Sequence, residues 1–374
     1  KALTSAQVGA LTSAQLPKFD TAQLVGIDAN DLKALTTAAI NSLTATQAPG
    51  LTTAQIVALE TSQVQALSTS AFEKLTTTQL VELSTAQVQA LSTAQLVALN
   101  TSQAIALKDT QFEKLSTAQV AAIETRDFAN LSTAAIAKLT TEQAANLTTS
   151  QVASMTSTQL VKMETADFAA LTSDRLASLT STQVGAITTD QLVALTTHQA
   201  SAITATQVKG FTTAQLSKLE TQDLVAFSTS AVAGLSGAQL SGLTTDEIRS
   251  ITTTQVSAIT ATALKSLTTA QIQALTSDQL PELTTAQVNA LTTTQIDALT
   301  TAQISALETA DIAKLSYLQV IGLNTAQMPQ LTTAQVKAID ATLIQYIESQ
   351  DLMRLTSDQV GALTTAQIQQ LSVP

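Results

Sequence analysis

The sequence predicts an all-α solenoid, a superhelical spiral with one short capped helix in each eight-residue repeat. Three observations carry that expectation: an unbroken period of eight, two apolar positions in every period, and helix-start chemistry at two fixed positions beside them. A frame that begins at Leu3 runs to Gln370 as 46 octads without insertion or deletion. Self-similarity at a fixed short period marks an architecture in which each unit buries its apolar face only against its neighbours. The array is expected to be a single domain over 3–370, with 371–374 starting a further, incomplete repeat.

Positions 1 and 6 supply the core. Position 1 is Leu, Ile, Met or Phe in every octad, and position 6 is Val, Leu, Ile, Phe, Met or Ala throughout, from Val8 to Ile368. Positions 2 and 5 supply the helix starts. Position 2 is Ser, Thr, Asp or Asn in 39 octads and position 5 is Gln in 32, as in Leu51-Thr52-Thr53-Ala54-Gln55-Ile56-Val57-Ala58. This is the capping-box pattern, in which the Thr hydroxyl accepts from the N3 amide and the Gln side chain reaches back to the cap amide. Positions 1 and 6 then fall at N′ and N4, the spacing of a hydrophobic staple. A helix begun every eight residues also ends every eight residues.

A continuous helix fails on geometry, because eight residues at about 100° each turn an apolar stripe by roughly 80° per repeat. Coiled-coil packing fails on the same drift. Pro17, Pro49, Pro281 and Pro329 all occupy position 7, which keeps the helical piece short and locally irregular. Position 8 is Ala, Gly or Ser in 31 octads, as expected where backbones approach closely, and the variety at position 7 marks the solvent side. The alternative is a β-solenoid, since Thr, Val and Ile favour strands. Against it, positions 1 and 6 have opposite parity, which breaks strand alternation, Gly numbers only 10, and Ala and Gln prefer helix.

A longer period runs inside the short one. The octad Leu67 to Lys74 is echoed forty residues later by Leu107 to Lys114, and Ile123-Glu124-Thr125-Arg126-Asp127-Phe128 by Met163-Glu164-Thr165-Ala166-Asp167-Phe168. Two readings stand: five octads per superhelical turn, which would align these residues along the spiral, or block duplication of a forty-residue unit. Where position 2 is Glu, position 5 is usually Asp, at Glu124/Asp127, Glu164/Asp167, Glu220/Asp223, Glu308/Asp311 and Glu348/Asp351. These pairs read either as modified caps, with the position-3 hydroxyl taking over and the helix dipole favouring acids, or as cation seats. Each octad offers two carboxylates where Ca²⁺ takes six or more oxygens, which favours the cap. Lys74, Lys114, Lys162, Lys218, Lys314 and Arg354 at position 8 are expected to form surface ion pairs.

Catalytic chemistry is not legible. The one His, His198, lies at variable position 4, so neither a Ser-His-Asp triad nor a His-cluster metal site can be assembled. The chain has no Cys, and Gly234-Leu235-Ser236-Gly237 is the meeting of two octads, not a phosphate loop. No catalytic, cofactor-binding or metal residue is assigned, no cofactor is implied, and the chain is read as not an enzyme. Asn100, Asn130 and Asn146 match the glycosylation sequon, a match that chance supplies readily when Ser and Thr are abundant. A formal net charge of −11 with no basic run argues against nucleic acid and anionic lipid as partners, and no apolar run reaches membrane-spanning length. Lys1-Ala2-Leu3-Thr4 lacks signal-peptide organisation.

The phrase Leu-Thr-Thr-Ala-Gln-Val/Ile-x-Ala resembles the tandem octapeptide repeats of very large secreted or surface proteins of bacteria. That resemblance implies an extracellular or cell-surface location. Its start is also similar to the opening helix of the TAL-effector DNA-binding repeat, but the longer unit and the base-reading loop of that family are missing here. The expected function is structural: an elongated solenoid serving as fibre, filament subunit, stalk or spacer, associating with itself end to end or laterally. The alternative is an adhesive module presenting regular Thr and Ser rows to glycan, ice or a protein partner.

Overall fold

The computed structural model describes residues 3–371; the incomplete repeat begun by Leu371 otherwise lies outside the described residues. The chain falls into two compact units, Lys1–Leu179 and Thr180–Pro374, and each is a helical solenoid of the same construction. Among the described residues there are 39 short α-helices, six 3₁₀ segments and no strand. Every octad but one contributes one helical piece. The exception, 275–282, carries Pro281 and forms turns only.

The octad 51–58 shows how the local sequence closes each piece. Thr52 is extended (φ −72, ψ 157) and helix Thr53–Ala58 follows it. The Thr52 hydroxyl accepts from the Gln55 amide at 3.2 Å, and Gln55 Oε1 accepts from the Thr52 amide at 2.9 Å. At the other end Leu59 returns to an extended backbone (φ −58, ψ 139) while its amide donates to the Ile56 carbonyl at 3.3 Å. Two consecutive extended residues thus make the bend, and no described residue needs a positive φ. That is why Gly can be scarce in a chain that turns so often. Three of the octads with Pro at position 7 tighten into 3₁₀ segments, Leu16–Lys18, Ala48–Gly50 and Met328–Gln330, because the missing amide removes an α-type bond.

The rows at positions 1 and 6 form the core of each unit, with Leu51 at 5%, Ile56 at 0% and Leu59 at 4% exposure. Each buried aliphatic side chain of this size contributes about 1.5–3 kcal/mol relative to exposure, and most octads supply two. Phe72, Phe112, Phe128 and Phe168 belong to the position-6 row and are among the largest fully buried side chains.

Successive coils meet after 28 to 31 residues. Gln79 Nε2 donates to the carbonyl of Leu51, 28 residues back, at 2.7 Å and to that of Ala48, 31 residues back, at 3.0 Å. In the second unit Gln287 Nε2 does the same to Ile259 at 2.6 Å and Val256 at 2.8 Å. A turn is therefore between three and four octads, and the five-octad turn is overturned. Forty residues do not return the chain to the same side of the coil. Block duplication is the reading of the forty-residue echo that survives, and its Phe residues lie in the core.

Small residues at position 8 mark the tightest approach between coils. A Cβ added to Gly50 would come within 2.7 Å of Thr21 Cγ2, and one added to Gly242 within 2.8 Å of Thr213 Cβ. At Gly210 a Cβ would run into the Ser181 carbonyl oxygen. In each case position 8 lies over position 3 of the octad three repeats earlier.

Candidate functional site

The chemistry that recurs through both units is the buried amide of the position-5 glutamine. Gln55, Gln79, Gln151 and Gln287 are each exposed by no more than 2%. Burying an amide without partners costs several kcal/mol, so each of its atoms needs a bond. Oε1 accepts from the amide of its own N-cap, which leaves Nε2 aimed at the preceding coil. Gln151 Nε2 donates to Val120 and to Ile123, both at 2.9 Å, and Gln335 Nε2 to Ile304 at 3.0 Å and Leu307 at 2.7 Å. The amide orientation is fixed by its partners, since exchanging oxygen and nitrogen would set carbonyl against carbonyl. Sequence reasoning found the first half of this role, the cap, and missed the second. The available signal was an uncharged amide retained at one position where Glu completes a capping box equally well.

Departures from Gln show what the seam requires. Arg175 replaces it with another donor, and its Nη1 reaches the Ala145 carbonyl at 2.7 Å. Asp is one methylene shorter and turns instead to a hydroxyl of the preceding coil. Thr101 Oγ1 donates to Asp127 at 2.5 Å and Thr141 Oγ1 to Asp167 at 2.8 Å. Asp223 and Asp311 take the corresponding bonds from Thr197 and Thr285. In four of the pairs the Asp is therefore a coil-to-coil contact. The modified-cap reading is corrected in part: the Asp does lie in the first helical turn, but Glu124, Glu164, Glu220, Glu308 and Glu348 keep the N-cap place without a side-chain cap bond, and the position-3 residue is the first of the helix and does not take over as the cap. Burial pushes the carboxyls of Asp167, Asp223, Asp311 and Asp351 up. The Thr hydroxyl opposes this at the first three, and the neighbouring Glu adds to it at all four. One oxygen each of Asp167, Asp223 and Asp311 is buried without a partner. Among the described residues no three His, Asp or Glu side chains come together as a metal site.

The remaining sequence candidates are placed on the surface. His198 is exposed, at position 4 of its octad. Lys74 pairs with Glu73 at 3.1 Å and Lys114 with Glu113 at 2.9 Å, whereas Lys162, Lys218, Lys314 and Arg354 pair with no described acid. Arg126, at position 4, is the base that meets an acid pair, reaching Asp127 at 3.1 Å and Glu124 at 3.8 Å. The Lys74–Glu73 and Lys114–Glu113 pairs are exposed on both sides and screened by water, whereas Arg126 reaches a buried carboxyl at Asp127. Asn100 serves as an N-cap for Gln103, and Asn130 and Asn146 donate to the carbonyls of Arg126 and Glu142. The position-2 Thr hydroxyls are engaged as caps, while position-3 Thr53, Thr77 and Thr93 are exposed. Shallow grooves between coils are lined by side chains such as Gln89, Glu113, Lys114, Thr140 and Glu142. No helix among the described residues is long and apolar enough to cross a membrane.

The family model described as the ALTTAQ repeat matches residues 24–61, 56–93, 120–157, 160–197, 216–253, 248–285, 280–309 and 304–340. No curated protein matches the chain.

Proposed function

Because the chain belongs to the ALTTAQ repeat family, we propose that it is a structural protein, a spacer, stalk or filament subunit on the surface of, or secreted by, a bacterium. The observation that carries this reading is the sameness of the seam. Gln55, Gln151, Gln287 and Gln335 make the same bonds to the coil before them, so length is added by repeating one interaction. A seam made of one donor set and one carbonyl set is self-complementary, which supports self-association by stacking. No catalytic step is proposed: the lone His198 is exposed, and the grooves are lined by polar surface side chains.

An adhesive module is the second reading, and the exposed position-3 Thr residues speak for it. The position-2 hydroxyls speak against it, because helix capping occupies them. Negative-stain electron microscopy and sedimentation of the purified chain test the proposal. Filaments or a concentration-dependent ladder of stacked species is the expected result. A chain that stays monomeric at every concentration and binds a glycan array would contradict it.

A further inference from the structure

Glu247 is the one glutamate at position 5, and the seam around it is built for an amide. It lies in helix Thr245–Ser250 with 3% exposure. Its Oε2 accepts from the Thr244 amide at 2.5 Å, the place Gln Oε1 takes in neighbouring octads. By analogy with those octads, its other oxygen corresponds to Gln Nε2. In the octads on either side that nitrogen donates to backbone carbonyls: Gln239 to Val208 and Phe211, both at 2.8 Å, and Gln255 to Leu224 at 3.2 Å and Phe227 at 2.7 Å. The equivalent carbonyls for Glu247 are those of Leu216 and Leu219. A carboxylate has only lone pairs to offer them, and acceptor facing acceptor repels. A protonated carboxyl has the shape of the amide and one O–H to donate.

We propose that Glu247 is held as a neutral carboxylic acid in the folded chain, donating its O–H to the carbonyls of Leu216 and Leu219, and that this repeat is a proton-dependent joint between coils. No charged neighbour offers an alternative partner. The helix packs against Thr221–Ala226 of one coil and Thr269–Ala274 of the next. The first brings Asp223, already bonded to Thr197, with Glu220 exposed at its start; the second carries no charge and is flanked by exposed Lys265 and Asp278. Lys218 beside the acceptor carbonyls is exposed, and Asp246 and Arg249 on the same helix pair with each other at 3.3 Å at the surface. Burial pushes the Glu247 carboxyl up, with the Thr244 amide and hydroxyl pulling against it and no charged group acting.

The direction of the pH effect follows. A carboxyl whose value is raised by folding stabilises the fold fully below its unfolded value, near 4.5, and that contribution fades as pH rises through the folded value. The joint therefore tightens in acid and loosens in base. Hydrogen exchange of the full chain, corrected for intrinsic rates, tests it on peptides covering residues 212–220 and 243–251 at about pH 5 and about pH 8. Protection should fall by up to about tenfold for each pH unit between the unfolded and the folded value, and level off above it. In Glu247→Gln it should stay high and nearly level, and an infrared band of protonated carboxyl should disappear. Equal protection of the native chain at both pH values would overturn the proposal, and so would Glu247→Gln exchanging as fast as the native chain at the higher pH. Recovery of protection at that pH on adding Ca²⁺ would overturn it in favour of a bound cation.

Discussion

At the scale of the residue, position 5 decides how one coil is joined to the next. The capping box was legible because its partners lie three residues apart, within the reach of a sequence pattern. The Nε2 bonds were not, because their partners lie 28 and 31 residues away and the period of the coil had to be known first. The acid pairs failed for a related reason: Asp127 and Asp167 find partners at Thr101 and Thr141, 26 residues earlier, where no local reading looks. Removing one glutamine leaves a cap amide and two carbonyls without their partner. Gln287→Ala should destabilise the second unit by about 1–3 kcal/mol, measured by denaturant unfolding, whereas exposed Thr294→Ala should leave it nearly unchanged. Equal effects for the two substitutions would remove the seam from the account. The five octads with Ala at this position, such as Leu131 to Lys138 around Ala135, show that an isolated gap is compatible with folding.

At the scale of the element, a short helix is stable here only through its neighbours. Isolated helices of fewer than about 12 residues are marginal in water, and these have four to six. Caps fix where each one starts, the staple between positions 1 and 6 fixes its angle, and the bend needs only two extended residues. All of this was present in the octad, including the irregularity at Pro17, Pro49, Pro281 and Pro329. The register is consequently octad-deep. Excising residues 283–290 moves the glutamines whose bonds span the cut onto equivalent carbonyls, leaves the later ones on their own, and should preserve the helical circular dichroism signal and resistance to proteolysis. Excising Ala286 alone shifts positions 1 and 6 by one residue across the cut and should open that coil to protease. Equal tolerance of both deletions would mean that the rows do not set the register.

At the scale of the whole molecule, the sequence identified the class of architecture but not its pitch. The forty-residue echo admitted either five octads per turn or block duplication, and the seam closes after three to four. The difference arises because pitch is set by how far Gln Nε2 reaches and by how closely position 8 sits on the coil before it. Neither distance is written in a local pattern. Position 8 of one octad covers position 3 three repeats earlier, as Gly50 covers Thr21. The chain contains no Cys, so an engineered pair reports on this contact without competition. Thr21→Cys with Gly50→Cys should form a disulfide on mild oxidation, detected by mass spectrometry, while Thr21→Cys with Thr61→Cys, forty residues apart, should stay reduced. A disulfide in the second pair and none in the first would contradict the three-to-four-octad coil on which the account rests.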